Sequence, residues 1–128
     1  MNQIEFYELK LAFEIDSWDL NELLNKGNVM VIDARRAEAF RREHIPGAVN
    51  MPHREMSRQT ITQLSSDQLH VTYCDGIGCN GSTRGALNLA RLGCTVKELL
   101  GGLDWWKRDG YPTEGTGTSE EHVLTCGC

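Results

Sequence analysis

Apolar and polar positions follow two rhythms along this chain, and their alternation outlines the fold. Leu9 to Ile15 reads as a first short strand. Asp16 or Ser17 then offers a helix cap, and Leu20, Leu23 and Leu24 fall at i, i+3, i+4 on one helical face before Gly27 stops it. Val29-Met30-Val31-Ile32 is a continuous apolar run between Gly27 and the charged Asp33-Ala34-Arg35-Arg36, the pattern of a strand covered on both faces. A short helix over Ala37 to Glu43, with Ala37 and Phe40 inward, ends at His44-Ile45-Pro46-Gly47, because proline cannot continue it. Ala48 to Met51 is a third strand closed by Pro52.

The stretch from His53 to Gln68 is polar, anchored by Met56, Ile61 and Leu64. It predicts one helical turn near Arg54 and another after Ser65. Val71-Thr72-Tyr73 is β-prone and leads through a glycine-rich loop into a helix with Ala86, Leu89, Ala90 and Leu92 on its core side, ending at Gly93. Thr95 to Leu100 gives another strand, Gly101-Gly102 a turn, and Leu103 to Asp109 a helix holding Trp105 and Trp106, closed by Gly110-Tyr111-Pro112. From Thr113 the chain turns polar, with Val123-Leu124 as its only apolar hold. Helices alternating with short apolar strands predict an α/β fold with a mainly parallel sheet, whose ligands bind beyond the carboxyl ends of its strands.

Composition narrows the function. A chain of 128 residues supports one core, and a net charge of −5 argues against a general binder of nucleic acid or acidic membranes. No apolar run approaches the ~20 residues of a membrane span, and the start lacks the pattern of a signal peptide, so a cytoplasmic location is expected. The five cysteines, at 74, 79, 94, 126 and 128, are odd in number and irregular in spacing, a poor disulfide framework that fits a reducing compartment. Neither the 74/79 pair nor the 126/128 pair has the two-residue gap commonest in zinc ribbons, so neither a metal nor a cofactor is expected.

The chemistry centres on Val71 to Gly93. A strand ends at Cys74, glycines follow at 76, 78 and 81, and a helix begins. Such a loop turns backbone N–H groups toward an anion and adds the helix's positive end, conditions that favour a thiolate and stabilise a charged covalent intermediate on it. The competing reading is a buried structural thiol, since cysteine packs as a small hydrophobe.

Taken together, Val31 to Arg35, Glu43 to Pro52, the strand-cysteine-loop, and Gly101 to Trp106 followed by Gly110-Tyr111-Pro112 resemble a rhodanese domain between about Asp16 and Pro112. The resemblance implies a three-layer α/β domain with a central, mainly parallel five-stranded sheet over residues 1–112 (core about 16–112). A polar tail, 113–128, ends in Cys-Gly-Cys. It further implies sulfurtransferase activity, in which a cysteine persulfide carries sulfane sulfur from a small-molecule or protein persulfide donor to a thiol or protein acceptor.

The family's loop begins with the cysteine and usually has six residues, often with an arginine directly after the cysteine and another near the end. With Cys74 as nucleophile, Asp75 replaces the first basic residue and Arg84 follows after a gap of nine. With Cys79, the run Cys79-Asn80-Gly81-Ser82-Thr83-Arg84 has the usual length, but Asp75-Gly76-Ile77-Gly78 must then end the strand, and glycine and aspartate are poor strand formers. Cys74 is the favoured nucleophile, with Cys79 as the alternative or a resolving thiol. The substrate loop comprises Asp75 to Gly78 and Asn80 to Arg84. Asp33 and Arg35 read as an ion pair bracing it, His44 as a hydrogen-bonded turn residue, and His53 and His122 have no visible partner. Asp75 beside the thiolate is expected to make the dianion thiosulfate a poor donor. Alternatives are a redox-sensing or non-catalytic module using a Cys74–Cys79 disulfide and, further off, a phosphatase or arsenate reductase. The latter enzymes place five residues between cysteine and arginine, whereas Cys79 and Arg84 are separated by four.

Overall fold

The structure, a computed structural model, describes residues 1–117. Helix α1 (Gln3–Phe13) leads into the short strand β1 (Glu14–Ile15) and helix α2 (Ser17–Lys26). Strand β2 (Val29–Asp33), helix α3 (Ala37–Arg42) and strand β3 (Val49–Asn50) follow, then 3-10 turns over His53–Glu55 and Thr60–Gln63. Strand β4 (Leu69–Tyr73), helix α4 (Gly81–Arg91), strand β5 (Val96–Leu99) and helix α5 (Gly102–Arg108) complete the order. The five strands form one sheet in the order β1-β5-β4-β2-β3, and every pairing is parallel.

Period-two alternation divides the core between the two faces of this sheet. Val31, Val71, Tyr73 and Leu99 pack with Leu20 of α2 and with Leu103 and Trp106 of α5. Ile32 packs on the opposite face with Met51, Leu64 and Leu89 of α4. β4 lies between β5 and β2, so its carboxyl end, where Cys74 begins the loop, opens at the middle of the sheet edge.

The ends of the elements have local causes. Asp16 caps α2 by accepting from the Asp19 N–H at 2.8 Å, and Gly27 closes it with φ of 74°, a conformation glycine adopts without a Cβ penalty.

Several expectations need correction. Leu9 to Phe13 is helical, and only Glu14 and Ile15 form the strand. The helix is capped by Asn2, whose side chain accepts from the Glu5 N–H, a signal hidden behind a segment without amphipathic period. In α3, Ala37 is exposed while Ala39 and Phe40 are half-buried. In α4, Ala90 is exposed and Gly85 is buried, since the helix approaches the sheet so closely that a Cβ on Gly85 would lie 3.2 Å from both the Ala34 Cβ and the Met56 Cε. The second helical turn precedes Ser65, where the Ser57 and Thr60 side chains cap it reciprocally with backbone N–H groups. Beyond Pro112, Glu114 pairs with His44 as an antiparallel bridge, and the Thr116 and Gly117 N–H groups bond Arg41 and Arg42 carbonyls. His122, Val123, Leu124, Cys126 and Cys128 lie outside the described residues.

Candidate functional site

Strand register assembles the site. Asp33 of β2 lies opposite Tyr73 of β4, so the residues that follow, Ala34-Arg35 and Cys74-Asp75, leave the sheet side by side. The Ala34 N–H donates to the Tyr73 carbonyl at 3.0 Å. Asp33 is fully buried and is surrounded by donors: the Tyr73 hydroxyl at 2.6 Å, Arg35 Nε at 3.0 Å and Nη2 at 2.8 Å, and the Arg35 backbone N–H at 2.9 Å. The Tyr73 oxygen accepts in turn from the Ile45 N–H at 3.1 Å. Burial and the Asp33 charge both push the Tyr73 hydroxyl pKa upward, so it stays a donor. Burial alone would lower the Arg35 pKa, but bonding and charge from Asp33 outweigh it and the guanidinium is held protonated.

Arg35 then reaches the loop. Its Nη1 lies 3.0 Å from Asp75 Oδ1, and its Nη2 donates to the Glu43 carbonyl. Asp75 is thus paired with a buried cation that it shares with Asp33, so Arg35 offsets one of the two carboxylates and one negative charge remains in the group; neither Cys74 nor Asp75 lines the adjacent cavity.

The loop runs from Cys74 to Asn80, and α4 starts at Gly81. Asp75 to Gly78 form bends and turns rather than strand, and Gly81 to Arg84 form the first helical turn, with the Arg84 N–H bonded to the Asn80 carbonyl at 2.9 Å. On its other side the loop is fastened to α5. The Leu103 N–H donates to the Cys74 carbonyl at 2.9 Å and the Asp104 N–H to the Asp75 carbonyl at 2.8 Å. This approach needs Gly102 at φ of 58°, where a Cβ would sit 2.5 Å from the Cys74 oxygen.

Cys74 is buried, Cys79 is half-buried, and both are disulfide-bonded. Cys94, behind α4, is the free cysteine among the described residues, and burial pushes its thiol pKa up. No group of three or more His, Cys, Asp or Glu among the described residues is arranged to hold a metal.

A cavity of about 1150 Å³ opens beside the loop. Its walls include Gly76 to Asn80, Ser82, Thr83 and Arg84, together with residues that the linear pattern did not single out as site groups: Arg54, Arg91 and Glu98. His53 also lines it, and burial together with the nearby Arg54 and Arg84 charges lowers its pKa, leaving a neutral ring. Glu98 accepts from the Ser82 and Thr83 hydroxyls at 3.3 and 2.8 Å. Arg84 Nε donates to Asn80 Oδ1 at 3.2 Å. These side chains come from a 3-10 turn, the last turn of α4 and β5, and only packing brings them together.

His44 stands apart from the cavity. Its ring stacks on Phe40 with centroids 3.8 Å apart, and its two nitrogens face the Phe40 carbonyl at 2.6 Å and Glu114 Oε1 at 3.2 Å. Trp106 is buried and donates to the Pro112 carbonyl at 2.8 Å, whereas Trp105 is exposed against Arg108.

Comparison with known proteins accords with this geometry. The HTH-type transcriptional regulator Rv0324 of Mycobacterium tuberculosis is 35% identical over 97 residues, covering 73% of this chain and 42% of that protein. The chain therefore spans less than half the length of that relative. Thiosulfate sulfurtransferase 16 of Arabidopsis thaliana, a chloroplastic protein, is 29% identical over 93 residues, 65% of this chain and 78% of that protein. Among solved structures, the BH2092 protein of Bacillus halodurans superposes with a TM-score of 0.88 at 36% identity, covering 95% of this chain and 90% of that one. A thiosulfate sulfurtransferase from Pseudomonas aeruginosa superposes with a TM-score of 0.71 at 27% identity, over 84% of this chain and 20% of that one. The model of the rhodanese-like domain matches residues 18–109, from α2 through α5, and with the parallel sheet and the loop at its centre this makes the chain a member of the rhodanese-like domain family.

Proposed function

We propose that the chain is a sulfurtransferase whose reduced Cys74 carries sulfane sulfur as a persulfide. The observation that carries this reading is the loop from Cys74 to Asn80, set between the central strand and α4 in a rhodanese-like domain. The Cys74 thiolate attacks the outer sulfur of the donor, the donor's S–S bond breaks, and a thiolate or sulfite leaves. An acceptor thiolate then attacks the terminal sulfur of the persulfide, departs as its own persulfide and regenerates the Cys74 thiolate. Cys79 serves as a resolving thiol: its attack on Cys74 Sγ expels hydrosulfide and leaves a disulfide. Small-molecule or protein persulfides are donors and thiols are acceptors. Asp75 shares Arg35 with Asp33, so one negative charge remains at the loop; Arg54, Arg84 and Arg91 around the cavity oppose it, and through them anionic donors are admitted as well.

One observation favours a second reading. Both cysteines are disulfide-bonded, so reduction must precede transfer, and a domain that only interconverts these states would be a redox sensor.

Intact-mass measurement separates the two. The reduced protein, incubated with glutathione persulfide or thiosulfate, should gain one sulfur in Cys79→Ser and none in Cys74→Ser, while wild type gains one sulfur that is lost as hydrosulfide when Cys79 resolves the persulfide. A gain retained in Cys74→Ser and lost in Cys79→Ser moves the nucleophile to Cys79. Loss of two hydrogens in wild type with no gain of sulfur in Cys79→Ser or in Cys74→Ser leaves the sensing reading.

A further inference from the structure

The two sulfurs of the Cys74–Cys79 disulfide are not equally open to an incoming molecule. Cys74 is 1% exposed, Tyr73 before it is fully buried, and the Cys74 carbonyl is held by the Leu103 N–H at 2.9 Å. Cys79 is half-buried and forms part of the cavity wall, to which Cys74 does not contribute. A thiolate opens a disulfide by attacking one sulfur and expelling the other, so access selects the sulfur that is attacked. The negative charge left over among Asp33, Arg35 and Asp75 sits beside Cys74 and disfavours a second anion there. The cavity, at about 1150 Å³, slightly exceeds the roughly 300–1,000 Å³ usual for small-molecule sites, room for a peptide-sized ligand rather than an inorganic ion alone. Arg54, Arg84 and Arg91 lie on its wall against the carboxylate of Glu98, which already accepts from the Ser82 and Thr83 hydroxyls, so the wall attracts anions.

We propose that a small-molecule thiol bearing carboxylates, as glutathione does, binds in this cavity and opens the disulfide at Cys79. Its thiolate attacks Cys79 Sγ, the Cys74–Cys79 bond breaks, and the electron pair leaves with Cys74 as a thiolate. A second thiolate then attacks the ligand's sulfur in the mixed disulfide, departs with it as a symmetric disulfide and releases Cys79 as a thiolate. Two thiols are oxidised and one protein disulfide is reduced. The proposal rests on the reading of Cys74 as the sulfur carrier. Resolution by Cys79 ends a turnover in the disulfide, and this exchange returns Cys74 for the next one, with Cys79 capped for as long as the mixed disulfide lasts.

The oxidised whole chain, mixed with glutathione and stopped within the first turnover by N-ethylmaleimide in mildly acidic denaturant, tests this. Fragmentation of the peptide between residues 74 and 79 should place glutathione on Cys79 and the maleimide on Cys74. The opening rate, compared per thiolate, should be highest for glutathione, lower for neutral 2-mercaptoethanol and lowest for cationic cysteamine, and added salt should narrow the spread. Arg54→Gln, Arg84→Gln and Arg91→Gln should each slow glutathione about two- to fivefold and leave 2-mercaptoethanol unchanged, which also shows the variants to be folded. Glutathione on Cys74, equal rates for the three thiols, or arginine variants that spare glutathione or slow all three thiols alike overturns the proposal, as does a chain that forms no Cys74–Cys79 disulfide on oxidation. Sulfur loading of the same protein, reduced by a phosphine without any thiol, is measured separately. Normal loading with glutathione found on Cys74 sinks this proposal alone, whereas absent loading with glutathione found on Cys79 sinks the sulfurtransferase reading and upholds the thiol site.

Discussion

Replacing Arg35 with methionine removes the one cation that joins the buried Asp33 to the loop at Asp75. The Arg35 side chain is 5% exposed and that of Asp33 is 0%, so their bond is a buried ion pair. Breaking such a pair from one side costs about 3–5 kcal/mol, mainly because the surviving charge is stranded. The contact with Asp75, whose side chain is 35% exposed, adds at most about 1 kcal/mol. Methionine restores much of the lost apolar stem, so packing contributes little. The expected loss of about 3–5 kcal/mol is a large share of the 5–15 kcal/mol typical of a domain. Urea unfolding followed by circular dichroism measures it as a lower midpoint at unchanged slope. The mechanism makes a sharper demand. If a stranded carboxylate is the cause, adding Asp33→Asn to Arg35→Met should return roughly 1–2 kcal/mol, while Asp33→Asn alone destabilises by leaving the arginine with Asp75 as its remaining carboxylate partner. A loss below about 1 kcal/mol in Arg35→Met, or strictly additive losses across the four proteins, would refute the reasoning.

Gly102→Ala should destabilise by about 2–4 kcal/mol, because it joins the penalty of a left-handed alanine to a clash with the Cys74 carbonyl, and sulfur loading in the mass assay should fall further than the folded fraction does; unchanged loading would show that the loop tolerates release from α5. His53 contributes to pH dependence with a definite sign: its folded pKa is lowered, so the unfolded chain binds more protons as pH drops through about 6.5, and the stability it supplies is present above that pH and lost below it. The urea midpoint of wild type should therefore fall more between pH 7.5 and 5.5 than that of His53→Gln, and equal falls would contradict the assignment. Glu43, lowered by Lys107 and Thr113 against the opposing effect of burial, contributes stability that is present above the ordinary glutamate range and lost as pH falls through its own folded pKa, so Lys107→Ala should flatten the melting profile at acid pH rather than at neutrality.

Much of the fold was fixed by features that act over a few residues. The apolar run Val29 to Ile32, the period over Leu20 to Leu24 with its Asp16 cap and Gly27 stop, and the turn at Gly101-Gly102 each impose an element whatever surrounds them, and the strand-cysteine-loop-helix order follows from the same local chemistry. The sequence alone went wrong where periodicity is weak or interrupted. Helix α1 has apolar residues on opposite sides, which blurs the helical period and imitates a strand near Leu9 to Ile15. The exposed Ala90 and buried Gly85 of α4 reflect how closely the helix lies on Ala34 and Met56, a distance set by packing rather than by pattern. The charge at the loop was decided by tertiary structure alone. Asp75 looks like an unmatched anion in one dimension, and it is strand register between β2 and β4 that brings Arg35, forty positions earlier, within 3.0 Å of it. The same holds for the guanidinium groups of the cavity: Arg54 and Arg91 belong to no common motif, and only the folding of a 3-10 turn and the end of α4 around one opening makes neighbours of them.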